Sequence, residues 1–224
     1  MNLEQLISTL MVELLQFVKD TPDFFNLDAK QTQTVFDRAC LSSFSREYLL
    51  DSDMQQIFDD IGGLTKYLKH SAKLDSSNVL AQHLARFLCK QYNFAVISLD
   101  KSFANLDALK QAEKIDHVFK SNNKVTLAVK DLFLQGNFDS LAKMFGTYLS
   151  NFEDFKNIIV QIPLDVDASL RRNMVTKFND KFGELTLVNV QINQRIVGGL
   201  RVFVNGELTD LSWHRKIETL TKTN

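Results

Sequence analysis

The stretch Asn157-Ile-Ile-Val-Gln-Ile162, stopped by Pro163, is where the sequence changes its period. Ile158, Ile159, Val160 and Ile162 are all β-branched, which suits a short strand, and a proline cannot donate to a continuing ladder. Behind it Leu170, Met174, Phe178 and Phe182 recur every four residues, predicting a helix over 168–182 that Gly183 ends. Asp165 and Asp167 stand at its start, where carboxylates accept from free N–H groups and complement the helix dipole, so they read as caps and not as a paired acid and base. Next, Leu185 and Leu187 alternate with polar residues, and then the phase slips to Val188, Val190 and Ile192, as a β-bulge allows. A further strand from Ile196 to Val204 ends at Asn205-Gly206, two residues that accept the positive φ of a type I′ hairpin turn. A short return strand and a last helix from Trp213, N-capped by Ser212, complete a β-α-β-β-β-α unit over 156–224.

Upstream of that stretch the period is helical. The only prolines are Pro22 and Pro163, and six of the eight glycines follow residue 100, so little interrupts a helix before about 155. Leu6, Leu10, Leu14 and Val18, widened by Met11, Leu15 and Phe17, form one apolar stripe that Thr21-Pro22 closes. Similar spacing over 30–40, 52–60, 78–92, 102–119, 124–134 and 138–149 predicts six or seven helices, with Gly62-Gly63 breaking or connecting two of them. The expected fold is α+β: an all-α helical bundle over 1–150, then a small α/β domain over 156–224.

Composition narrows the function. With 26 Lys+Arg against 27 Asp+Glu the net charge is -1, so no overall field draws the protein to nucleic acid or anionic lipid. Cys40 and Cys89 lie far apart without a neighbouring His/Cys cluster, and His70, His83, His117 and His214 sit on different segments, so neither disulfide, zinc site nor other metal is signalled. No Gly-x-Ser-x-Gly elbow accompanies a candidate nucleophile. Gly198-Gly199 lacks the lysine and hydroxyl of a phosphate loop and reads instead as a strand position where another backbone comes close. No cofactor is expected. The first twenty residues carry Glu4 and Glu13 and no base before Lys19, unlike a secretory or transit peptide. No run approaches the roughly 18 apolar residues of a spanning helix, so membrane association is expected to come through a partner. The 18 phenylalanines mostly fill helix faces, and the same residues suit grooves that accept amphipathic helices.

The C-terminal stretch resembles the delta subunit of F-type ATP synthases, the oligomycin-sensitivity-conferring protein family. The resemblance rests on an ordered series: Ile159-Val-Gln-Ile-Pro-Leu164, the Leu170 to Phe182 helix, Ile196-Val-Gly-Gly-Leu-Arg-Val202, the Asn205-Gly206 turn, Asp210-Leu-Ser212 and the basic His214-Arg-Lys216. Pro163, Leu164, Ile196, Gly198, Gly199, Asp210 and Ser212 are the positions that match the family pattern. The Arg-Tyr-Ala run with which the family's first helix usually opens is absent, and the sequence is longer than a typical bacterial member. The extra length is either an addition at residues 1 to about 75 or an insertion around 100–135.

The resemblance implies a non-catalytic peripheral-stalk subunit of a proton-translocating synthase, at the cytoplasmic face of a bacterial inner membrane or the matrix or stromal side of an organelle membrane. It further implies that the helical domain receives the F1 alpha (and beta) subunits and that the C-terminal domain grips the b-type stalk subunit. The alternative is a freestanding helical adaptor unrelated to the synthase.

Overall fold

A computed structural model describes residues 2–70, 74–99, 103, 105–135, 137–215 and 217. Among them, eight α-helices precede residue 150: α1 (Leu3–Asp20), α2 (Ala29–Ala39), α3 (Ser43–Leu50), α4 (Met54–His70), α5 (Val79–Ser98), α6 (Ala108–Val118), α7 (Lys124–Gln135) and α8 (Phe138–Leu149). Then follow β1 (Lys156–Ile162), α9 (Ala168–Phe182), β2 (Thr186–Ile192), β3 (Arg201–Val204) and β4 (Glu207–Asp210). The α+β class is as the periodicity predicts. By contacts the protein divides into two compact units, residues 1–87 with 115–136 and residues 88–114 with 137–224, so α8 and the second part of α5 group with the sheet.

In the first unit α1 starts with a capping box: Asn2 accepts from the Gln5 N–H, and the Gln5 side chain accepts from the Asn2 N–H. Its stripe Leu3, Leu6, Ile7, Leu10, Leu14, Phe17 and Val18 is buried, and the helix packs mainly on α7. Phe17, Phe24 and Phe36 cluster with ring centroids 4.9 to 6.1 Å apart. Helix α3 is one the period did not predict. At its start Glu13 of α1 accepts from the Ser42 N–H, the Ser42 hydroxyl and the Ser45 hydroxyl, at 3.1, 2.7 and 2.5 Å.

Gly62 and Gly63 do not break a helix; both lie inside α4. A Cβ on Gly63 would stand 2.7 Å from the Asn78 side-chain nitrogen, which donates to the Asp60 carbonyl at 2.9 Å, so this glycine makes room for a cross-element bond. Asn78 also caps α5, and the buried Asp60 carboxylate accepts from the next N–H groups of that helix, Val79 at 3.2 Å and Leu80 at 3.1 Å.

In the second unit the sheet order is β2-β1-β3-β4, with β1 and β2 parallel and the other neighbours antiparallel. A parallel pair needs a crossover, and α9 supplies it. Its Met174, Val175, Phe178 and Phe182 pack against Ile158, Val160, Ile162, Val188 and Val202. Two sequence expectations fail here. No bulge interrupts β2, which pairs with β1 without a slip from Thr186 to Ile192. Leu187 and Val188 are both wholly buried because the first half of β2 is covered on both faces, and that erases the alternation. The predicted strand from Ile196 begins only at Arg201, because Gly199 takes φ +80° and leaves the extended region.

Two side chains of this unit close element ends. Asn93 of α5 donates to the Thr186 carbonyl at 2.8 Å and accepts from the Val188 N–H at 2.9 Å, pairing polar groups on an outer strand. Arg171, buried on α9, donates to the carbonyls of Val166, Val96 and Leu99, satisfying acceptors where α5 ends. Asp167 caps α9 as expected, accepting from the Leu170 N–H at 2.8 Å, whereas Asp165, also read as a cap, accepts from the Val166 N–H ahead of the helix.

Candidate partner-binding surfaces

Five of the seven positions singled out by the family pattern, Ile196, Gly198, Gly199, Asp210 and Ser212, fall at one corner of the C-terminal unit. Ile196 is buried, and the glycine pair behind it runs beside the segment that leaves β4. The Gly198 carbonyl accepts from the Trp213 N–H and the Leu200 carbonyl from the Leu211 N–H, each at 2.9 Å. A Cβ on Gly198 would stand 2.5 Å from the indole of Trp213; one on Gly199 would stand 2.9 Å from the Ser212 Cα and would collide with the Leu211 carbonyl oxygen. At Gly199 a second stretch of backbone leaves no room for a side group, and at Gly198 the Trp213 ring occupies that space. Asp210 fixes the same corner: its carboxylate accepts from the Ser212 N–H and from Arg201 Nε, both at 2.9 Å. Hydrogen bonding from Ser212, then from Arg201, holds the Asp210 carboxyl below the usual carboxylate range. Ser212 precedes the helical residues 213–215 as expected, but its hydroxyl caps no N–H of that turn. Lys216 lies outside the described residues. Pro163 and Leu164 stand apart from this corner in the sequence, directly after β1, with Leu164 largely exposed.

This corner carries an apolar surface. Val197 is 83% exposed, Trp213 58%, Leu211 49% and Ile217 60%, and the backbone bonds just described hold the first three together. Ile217 follows Trp213 by four residues, one helical turn on. Arg195, His214 and Arg215 are exposed beside them. Exposed large apolar groups beside two arginines make this corner a candidate interaction surface. Sequence reading did not find it. The available signal was the sole tryptophan, flanked by Leu211 and Ile217 in a polar tail.

The helical unit has its own concavity, a groove of about 650 Å³ whose walls include Val12, Phe17, Val35 and Leu41, with Glu13, Arg38 and Lys124 among its polar groups. Cys40, exposed at φ +49° where α2 ends, also lines it. Among the described residues no three His, Cys, Asp or Glu side chains group as metal ligands would, and no helix is long and apolar enough to cross a membrane. Cys89 is buried and its thiol is pushed up to about 12, far from the range of a reactive thiolate.

The family model of the ATP synthase delta (OSCP) subunit matches residues 102–223, just over half of the sequence. The chain belongs to the ATP synthase delta (OSCP) subunit family. The match takes in α6 to α9, the whole sheet and every one of Pro163, Leu164, Ile196, Gly198, Gly199, Asp210 and Ser212, while α1 to α5 lie before it. Family membership makes this protein a structural subunit of an ATP synthase, in its peripheral stalk. No curated protein matches it.

Proposed function

We propose that this delta-family protein is a non-catalytic connector. In this reading the α/β domain over 156–224 grips the b-type stalk subunit, and the helical domain over 1–150 receives the F1 alpha (and beta) subunits, so that the head is held against rotor torque. The protein then lies peripherally at the membrane, on the cytoplasmic side in a bacterium or the matrix or stromal side in an organelle, and reaches the bilayer only through the stalk.

The observation that carries the reading is the apolar corner of Val197, Leu211, Trp213 and Ile217, which falls within the family-matched residues. A connector under load needs buried aromatic and aliphatic anchors and not an active site, and tryptophan is among the side chains that most often dominate such contacts. The apolar walls of the groove beside α1 support the other half, since amphipathic helices dock into grooves of that kind through anchors at helical spacing.

The sole tryptophan makes the test direct. Titrating the full-length protein with the C-terminal segment of a b-type subunit should shift Trp213 emission to the blue as the indole leaves water. Trp213→Ala should weaken the binding by about 2 kcal/mol or more. Binding that leaves the emission unmoved would exclude the corner, and no binding by calorimetry would exclude the stalk-gripping role.

A further inference from the structure

Asn205 and Gly206 form the exposed tip of the β3–β4 hairpin, at φ +50° and +90°. The Asn157 N–H donates to Asn205 Oδ1 at 2.8 Å, and the Asn205 N–H donates back to the Asn157 carbonyl at 2.9 Å. Nothing lies within 4 Å of where a Cβ of Gly206 would stand. Asn205 is also the one asparagine of the sequence followed by glycine; Asn224 ends the sequence, and every other asparagine precedes a residue larger than glycine.

We propose that Asn205-Gly206 is a site of spontaneous covalent modification, at which the folded hairpin converts asparagine to aspartate and isoaspartate. The Gly206 backbone nitrogen, after losing its proton, attacks Asn205 Cγ. The new bond closes a five-membered imide as the bond between Cγ and Nδ2 breaks and ammonia leaves. Water then opens the ring at either carbonyl. The balance is one amide and one water in, one carboxyl and one ammonia out, with no redox partner. Two features favour ring closure here. Gly206 offers no Cβ and no neighbour to obstruct the attack. The Asn157 N–H already points at Oδ1, the atom on which negative charge grows as the carbon is attacked, in the manner of a single oxyanion donor. Opening to isoaspartate places an extra methylene in the backbone of a two-residue turn, which cannot then keep Val204 opposite Glu207.

The test uses the purified full-length protein, incubated natively at neutral and mildly alkaline pH and in parallel in concentrated urea. Tryptic peptides spanning Asn205 are weighed, and isoaspartate is labelled with an isoaspartyl methyltransferase. The native protein should gain the carboxyl mass and the label at Asn205 ahead of every other asparagine, faster at the higher pH, with release of ammonia. Gly206→Ala should lose the label, and Asn205→Asp, which retains the turn's residue type, should release no ammonia from this peptide. An Asn205 that stays intact in the native protein while the urea-unfolded protein converts would overturn the proposal, and so would conversion led by a different asparagine.

Discussion

Asp60 shows how one buried carboxylate joins three helices of the first unit. Its oxygens accept from the Tyr48 hydroxyl at 2.8 Å and the Gln56 side chain at 2.9 Å as well as from the α5 N–H groups. Burial first, and the Asp60 carboxylate next, push the Tyr48 phenol well above its ordinary range, so it stays a donor. Asp60→Ala should cost about 3 kcal/mol in urea denaturation, because it orphans buried donors, whereas Tyr48→Phe, which leaves Asp60 its other donors, should cost about 1 kcal/mol. Equal losses would contradict that division. Nearby, His83 lies with Nε2 3.4 Å from Asp51 Oδ2, yet burial outweighs this attraction and holds its imidazole below the ordinary 6.5. The unfolded state therefore takes the proton first as pH falls. Stability should be intact above 6.5 and decline from there toward the lowered folded value. Comparing urea midpoints at about pH 7.5 and about pH 5.5 should show this decline in the wild type and a smaller one in His83→Gln. An equal decline in both would rule His83 out as its source.

At the scale of elements, long amphipathic stripes and the β-α switch at residue 156 were legible because one face of each element is buried and the other wet. Where that condition fails, so does the reading. Helix α3 is eight residues long, too short to display a period, and depends on Glu13 of another helix at its first turn. The first half of β2 is buried on both faces, so a straight strand looked bulged. Gly62-Gly63 read as a break because glycine's cost in a helix is local, whereas the gain, the close approach of Asn78 to Gly63, comes from a residue outside the helix. Of the glycine pair at 198–199, read as a strand position with another backbone close by, the close backbone holds for Gly199 alone and the strand for neither, and the partner segment and the exposed Trp213 beside it depend on tertiary contacts that no spacing encodes. Gly199→Ala should destabilise the C-terminal unit by about 2–3 kcal/mol, since the new Cβ meets backbone at φ +80°. Gly183→Ala, at φ +90° with open space around it, should cost about 1 kcal/mol. Similar losses at the two sites in chemical denaturation would argue against the close approach. Arg171→Met should cost about 2–3 kcal/mol by leaving carbonyls at the end of α5 without their donor.

For the whole molecule, the periodicity alone draws a boundary near residue 150, while contacts gather α8 and the second part of α5 around the sheet through bonds such as Asn93 to β2 and Asp139 to Asn189. Those are polar contacts between distant residues, invisible to a pattern of apolar spacing. The family match likewise starts inside the helical region, at residue 102. The connector reading requires that the protein occur in the cell as part of a synthase. The most direct measurement is affinity purification of the tagged full-length protein from membranes of its source, with subunit identification and stoichiometry by mass spectrometry. The account predicts alpha, beta and b-type subunits together with a single copy of this protein per complex. A protein recovered in quantity without any synthase subunit, while the synthase from the same membranes is complete without it, would contradict the account.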